Sequence, residues 1–407
     1  MFVVLSRIER VARSSPLGNV SARQLVALPP LGGYRLTRRR LLNLYLNRLE
    51  YLRGRTRLRS YPTRLVVEPA NACNLRCPYC LTGTGAVGRP AGLMTMDLYR
   101  RLLQELGDYL FEIEAFQWGE PLLSPYIYAM IEAASARGIA TTINTNFSVP
   151  FDRPRAERLV ASGLSELTVS IDGARQESYQ RYRVRGDLNR VRENCRLLAE
   201  AKRRLGRDSP RFNLEFHVFP HNVDDIDGMR DMARELGMQL RIFKGVVPGA
   251  DWDTARQFEY CVAPIAVPCI FLWGTAVVST DGGVLACRGA FRTADDMGRL
   301  AVRPNEIGAA RFRDVWNGAR FQSARRFYRR RDGTAEERRQ LCFECPNTQM
   351  WERWKAHRAA GGTRETFDVG YSLNGIWNYF WEGGRVAARE GEGENLRRPP
   401  PAAGRAG

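Results

Sequence analysis

No apolar run in this 407-residue chain approaches the length of a bilayer span. The start, Met1-Phe-Val-Val-Leu-Ser-Arg7, lacks a basic leader followed by a long apolar core, so a secretory signal is not expected. Both absences lead to the expectation of a cytoplasmic protein. In a reducing compartment nine cysteines are thiols or metal ligands rather than a disulfide framework. A zinc-finger, an RRM-like stretch and other nucleic-acid signatures are also missing. That matters because the formal charge is +18, which on its own allows a nucleic acid, an anionic lipid or an acidic partner. The arginines are spread along the chain instead of gathered on one motif, so no nucleic acid is expected. A non-catalytic metal- or nucleic-acid-binding protein remains as the remote rival. Hydrophobic content of 44% and charged content of 26% are ordinary for a globular protein long enough to bury a full core.

What is present is a dense cysteine loop. Arg64-Leu-Val-Val-Glu68 reads as a short strand, and after it Cys73, Cys77 and Cys80 fall within one stretch of eight residues. Three thiolates on one loop can hold an iron–sulfur cluster with one iron left open to a non-protein ligand. A zinc site or three packed thiols would give the same residues.

From 63 to about 250, strand and helix patterns alternate. Strands are expected at Leu65–Glu68, Phe111–Trp118, Ala140–Asn144, Glu166–Ile171, Phe212–Phe219 and Gln239–Phe243. Helices are expected near 96–107, 125–137, 153–162, 187–205 and 223–236. Six strands in alternation with helices indicate a parallel sheet joined by crossover helices, as a barrel or open. In the fourth strand Leu167, Val169 and Ile171 share one face, and Thr168, Ser170 and Asp172 the other. In the fifth, Leu214, Phe216 and Val218 are set against Glu215, His217 and Phe219. The apolar faces suit a helix layer, so the polar ones point inward, where a polar ligand would meet them.

Cys73-x3-Cys77-x2-Cys80, with Tyr79 before the last cysteine, resembles the radical SAM superfamily. The resemblance implies an open (β/α)6 partial TIM-like barrel in an α/β chain. It also implies a [4Fe-4S] cluster whose open iron is chelated by S-adenosyl-L-methionine, and cleavage of that cofactor to a 5′-deoxyadenosyl radical. Trp118-Gly119-Glu120-Pro121 resembles the Gly-Gly-Glu-Pro motif whose backbone receives the cofactor's amino group, with Trp118 in place of the first glycine. Ser170-Ile-Asp172-Gly173 resembles the ribose-binding motif. Arg183 or Arg185 is a candidate for the cofactor carboxylate, and Asn144-Thr-Asn146 lies at the same rim. As acceptors of a substrate proton, the inward-facing Glu215 and His217 are the candidates.

Beyond about residue 250 the alternation stops. Val277 to Cys287 reads as a hairpin turning at Asp281-Gly282. Cys269, Cys287, Cys342 and Cys345 form two pairs, able to bind zinc as readily as a cluster. The segment resembles the SPASM/twitch extension of radical SAM enzymes through Cys269, Gly282, Cys287, the phrase Asp314-Val-Trp-Asn-Gly318 and the closing Cys342-x2-Cys345-Pro. That implies a small C-terminal cysteine-rich α+β cluster domain with an auxiliary [4Fe-4S] cluster. Cys261 is read as a substitute ligand or a thiol, and Cys195 as a packed one. A fully ligated cluster suits electron transfer, hence a net oxidation. The resemblance further suggests a dehydrogenase of sugar- or aminocyclitol-like small molecules, with a peptide maturase as the alternative. A flavodoxin or ferredoxin would be the reducing partner.

The expected organisation is a basic helical extension at 1–62, the core at 63–250, the cluster domain at 251–350, and an aromatic segment with a disordered tail at 351–407. In the extension, Arg35 to Leu52 reads as a basic amphipathic helix with Leu41, Leu42, Leu49 and Leu52 near helical spacing. It can lie on a membrane surface, but is expected to pack on the core with its arginines solvated.

Overall fold

The computed structural model describes residues 28–29, 31–245, 269–300, 310–330, 342, 356 and 359–361. Helix α1 (Arg38–Leu52) precedes strand β1 (Arg64–Val67), the one-turn α2 (Leu81–Thr84) and α3 (Met96–Leu106). There follow β2 (Glu112–Glu114), α4 (Ile127–Ala136), β3 (Ala140–Thr145), α5 (Arg153–Ala161) and β4 (Glu166–Ser170). The core ends with α6 (Gln176–Tyr182), α7 (Leu188–Arg204), β5 (Arg211–Val218), α8 (Ile226–Leu236) and β6 (Gln239–Lys244). Local chemistry fixes several helix starts. The side chains of Thr95, Asp152 and Asp187 each accept from a backbone N–H in the first turn of α3, α5 and α7.

The six strands stand in sequence order, all parallel, each hydrogen-bonded to the next. Helical crossovers between adjacent parallel strands give the expected α/β architecture, an open partial barrel. Beyond the core come α9 (Phe271–Gly274), β7 (Thr275–Val278), β8 (Gly283–Leu285), β9 (Gly298–Arg299), α10 (Phe312–Trp316) and α11 (Ala319–Arg330). Strand β7 pairs parallel with β1, with Val67 opposite Val278, so the same sheet continues as β1-β7-β8-β9. The β7–β8 hairpin turns where expected, with Gly282 at φ +80°.

Leu167, Val169, Ile171, Leu214, Phe216 and Val218 are all buried in the main core, as the alternation predicts. Each such side chain contributes about 1.5–3 kcal/mol relative to leaving it exposed. Trp273, Phe312 and Trp316 from the C-terminal elements are buried in that same core. On the opposite face of the sheet, Val66, Val277, Leu285 and Ala290 form a small second cluster.

Three expectations need correction. Strand β2 is only three residues long. Helix α6, between β4 and α7, is not apparent in the sequence pattern. Most consequentially, α1 packs on the core with Leu44, Tyr51 and Leu52 buried, but it is rotated from the expected facing. Leu41 and Leu42 are 43% and 58% exposed, whereas Arg40, Asn43, Asn47 and Glu50 are buried. The Arg40 guanidinium donates to the carbonyls of Arg35 and Gly138 (both 2.6 Å), Arg137 (2.9 Å) and Gly107 (3.1 Å). Gly107 and Arg137 are the C-caps of α3 and α4. A buried cation that satisfies helix-end carbonyls outweighs the pull of two leucines.

Candidate active site

Strand β1 ends at Val67, and the loop bearing Cys73, Cys77 and Cys80 leaves its C-terminal end. Leu75, wholly buried, anchors the loop. Cys77 is buried, while Cys73 and Cys80 are partly exposed. Arg76 N–H donates to Val184 O (3.0 Å), and Asn74 Nδ2 to Ser148 O (2.8 Å), which ties the loop to the α6–α7 turn and the end of β3. Cys73 Sγ accepts from Leu75 N–H (3.4 Å) and Asn146 Nδ2 (3.5 Å). Donors of this kind stabilise thiolate and tune a cluster's potential. In the bare protein, burial pushes the Cys73 thiol up to about 11, and burial also raises Cys77, opposed by the nearby Arg183 charge. Cys73 and Cys77 therefore carry protons at neutral pH, and iron must displace them on binding. Among the described residues no three His, Cys, Asp or Glu side chains converge as ligands to a single ion. Ligands to separate corners of an iron–sulfur cube need no such convergence. Three thiols on one loop, with N–H donors already aimed at sulfur, fit a cluster.

The second loop locks onto the first. A Cβ on Gly119 would sit 2.0 Å from Ala70 O, so only glycine allows the approach. Glu120 N–H then donates to Ala72 O at 2.9 Å. The Glu120 carboxylate, 2% exposed, accepts from Thr145 Oγ1 (2.7 Å), Asn146 N–H (2.8 Å) and Leu122 N–H (3.0 Å). Burial raises its pKa against those donors. Its partners are thus the end of β3 and its own turn. Trp118 fits where the motif has glycine. The only described non-glycine residues with positive φ are Phe147 and Arg185, so Trp118 needs no special backbone. Its N–H donates to Glu68 Oε1 (3.3 Å), its carbonyl accepts from Thr82 Oγ1 (2.8 Å), and its ring packs edge-on against Phe291.

Polar residues of β3, β4 and β5 meet inside the barrel. Ser170 Oγ donates to Asn144 Oδ1 (2.8 Å), and Asn144 Nδ2 to Glu215 Oε1 (3.2 Å). Asp172, with no exposed surface, accepts from His217 N–H (2.8 Å) and Arg183 Nε (2.5 Å), and lies 3.3 Å from His217 Nδ1. Burial would raise the Asp172 carboxyl, but Arg183 and His217 hold it below the usual range. Burial would lower His217, but the hydrogen bond and charge of Asp172 raise it. His217 Nε2 faces Glu215 Oε1 at 3.8 Å. The network therefore brings Ser170, Asp172, Glu215 and His217 together, and joins them through Arg183 to the cysteine loop. Arg185 is exposed at φ +72°. Tyr79, 43% exposed, stands 5.9 Å from Tyr182 and 6.0 Å from Phe219, ring to ring.

Sequence reasoning missed two residues. At Gly83 a Cβ would strike the Cys77 backbone at 2.4 Å. Glu68, 1% exposed, joins β1 to Trp118, and burial pushes its carboxyl up to about 7. A glutamate at the end of an apolar strand was the available signal for the latter.

Of the second cysteine set, Cys269 and Cys342 are buried in the main core and Cys287 is half-buried against it. Arg288, next to Cys287, donates to Phe116 O (3.2 Å) and pairs with Glu114, while Gln117 Nε2 donates to Arg288 O (2.9 Å). Cys287 thus borders the stretch that leads into Gly119. Cys195 is buried, as expected. Cys261, Cys345 and the aromatic segment from Tyr371 to Trp381 lie outside the described residues.

An open parallel barrel with a three-thiol loop at its mouth defines a class of iron–sulfur enzyme. Residues 67–233 match the model of the Radical SAM superfamily. Residues 67–233 thus carry a radical SAM catalytic domain, and further strands and helices lie C-terminal to it. It is 28% identical over 213 residues to an AdoMet-dependent heme synthase of Methanosarcina barkeri, covering 52% of this chain and 57% of the relative. It is 30% identical over 190 residues to the mycofactocin maturase MftC of Mycobacterium ulcerans, covering 44% and 47%. The chain thus spans about half the length of these curated relatives. Among solved structures, Streptococcus suis SuiB bound to S-adenosylmethionine aligns with a TM-score of 0.51 at 15% identity, covering 70% of this chain and 71% of that one. That likeness speaks for the fold.

Proposed function

We propose that the chain is a maturase that acts on a peptide substrate by radical chemistry, with Cys73, Cys77 and Cys80 as ligands of a [4Fe-4S] cluster. When bound, that cluster and S-adenosyl-L-methionine supply a 5′-deoxyadenosyl radical that takes hydrogen from the substrate. The observation that carries the reading is the interlock of the cysteine loop with Gly119, which leaves the two cofactor-facing loops no other separation. Gly119 and Ser170 border the cofactor, and Glu120 and Asp172 hold their loops in place. Arg183 stands beside Cys77, so its charge meets the anionic end of the cofactor better than that of the exposed Arg185. His217, oriented by Asp172, and Glu215 take the substrate proton if the reaction is an oxidation.

The peptide reading is preferred to the small-molecule dehydrogenase because mycofactocin maturases of several mycobacterial species recur among the relatives. Cys269, Cys287, Cys342 and Cys345 would hold an auxiliary [4Fe-4S] cluster. A flavodoxin or ferredoxin would provide the electron.

Anaerobic reconstitution tests this. We expect about eight irons per chain, in two four-iron clusters, and 5′-deoxyadenosine on reduction with S-adenosylmethionine. About four irons would remove the auxiliary cluster alone, and zinc without iron would end the reading. Transfer of deuterium from a labelled peptide to 5′-deoxyadenosine would identify the substrate class, and transfer only from a labelled polyol would restore the dehydrogenase.

A further inference from the structure

The rotated seating of α1 leaves an apolar, cationic face on the surface. Four of the eleven exposed large apolar side chains among the described residues, Leu36, Leu41, Leu42 and Tyr45, fall within ten residues. Two of them, Leu41 and Leu42, belong to the set expected to pack inward. Arg38 and Arg39, both exposed, lie on the same side of the helix. Residues 10–49 contain no Asp or Glu. Glu50 is buried and occupied by Ser60 and the Arg59 N–H. The neighbouring anion is Asp108, paired with Arg39 at the solvent boundary.

We propose that this face docks the protein peripherally on an anionic lipid surface. Leucines and a tyrosine flanked by arginines on one helical face are the chemistry of an interfacial helix. The arginines answer anionic headgroups, and the chain's net charge of +18 adds long-range attraction. The position of the face decides between occupants. Arg40 and Arg35 bind the carbonyls of Gly107, Arg137 and Gly138, just ahead of β2 and β3. Helix α1 therefore lies across the N-terminal end of the sheet, and the cysteine loop leaves the other end. Strand β3, six residues long, spans about 20 Å between those ends. An acidic electron-donor protein seated on α1 would stand a strand's length from the thiols. A lipid surface there leaves the barrel mouth open to substrate and reductant. No described helix is long and apolar enough to cross a membrane, so the contact is at the interface.

The test is co-sedimentation of the full chain with vesicles of phosphatidylcholine alone, or enriched in phosphatidylglycerol. We expect binding at least about tenfold tighter to the anionic vesicles, released by salt. Leu41→Ser/Leu42→Ser should weaken it about tenfold, and Arg38→Glu/Arg39→Glu should abolish it. Both variants alter exposed side chains, and the Arg39–Asp108 pair lost in the second lies in solvent, so the melting temperature should move by only a few degrees and reductant-driven 5′-deoxyadenosine formation in solution should be unchanged. Sedimentation with neither vesicle would overturn the proposal, as would undiminished binding by the leucine variant. So would salt-sensitive binding to an acidic protein without vesicle binding. Because the readout is lipid binding, it stands or falls apart from the iron and cofactor measurements.

Discussion

Gly119 is the residue on which the meeting of the cysteine loop and the Trp118–Pro121 turn depends. Its missing side chain lets them meet, and a methyl group there would collide with backbone, which cannot rotate away. Gly119→Ala should cost about 1–3 kcal/mol of local strain. We expect S-adenosylmethionine affinity, measured by equilibrium binding to reconstituted protein, to fall at least tenfold. Glu68 offers a pH-dependent counterpart. Its folded carboxyl titrates near 7, above an ordinary value of 4.5, because burial disfavours the charge. The unfolded chain ionises first, so stability from this group is full below about pH 4.5 and is lost as pH rises through 7. The shift amounts to about 3 kcal/mol. Glu68→Gln keeps an oxygen for Trp118 N–H, so its stability relative to the parent should increase between pH 5 and pH 8, read by chemical denaturation. At this scale the sequence carried much of the site. The cysteines, Gly119, Ser170 and Glu215 are addressed by contiguous motifs or strand alternation. It could not choose between Arg183 and Arg185, two positions apart in one turn. The positive φ at Arg185 and the Asp172 ion pair separate them, and both are tertiary facts.

Helix α1 makes the same point for elements. Its existence was readable, since leucine and arginine are good helix formers and Thr37 caps the first turn. Its facing was not, because the acceptors that bury Arg40 come from Gly107 and Gly138, 67 and 98 residues away. Periodicity counts leucines but does not see distant carbonyls. Arg40→Met should therefore destabilise the protein by about 3–5 kcal/mol despite adding apolar surface, since four carbonyls lose a buried donor. A matching loss in thermal melting would be the check. The short β2 and the added α6 have a related cause. Ala115 N–H still reaches Thr142 O at 2.9 Å, but the residues after it turn off towards Arg288 and Glu68. Helix α6 is only seven residues long, too brief to impose a period.

For the molecule as a whole, the alternation of 63–250 specified the parallel order of six strands. The ninefold sheet was not foreseeable, because β7 and β1 are separated by about two hundred residues of sequence and neither names its partner. That pairing has a corollary for how the chain may be cut. Remove everything after β6, and Leu65, Val66 and Val67 become a bare border of unpaired amides with three apolar side chains in a row. Shortened versions ending near residue 245 should therefore stick to one another edge to edge, visible as soluble oligomers by light scattering, while the intact chain stays dispersed. Strand β7 thus also works as a hem, protecting the strand that carries the thiol loop from its own copies.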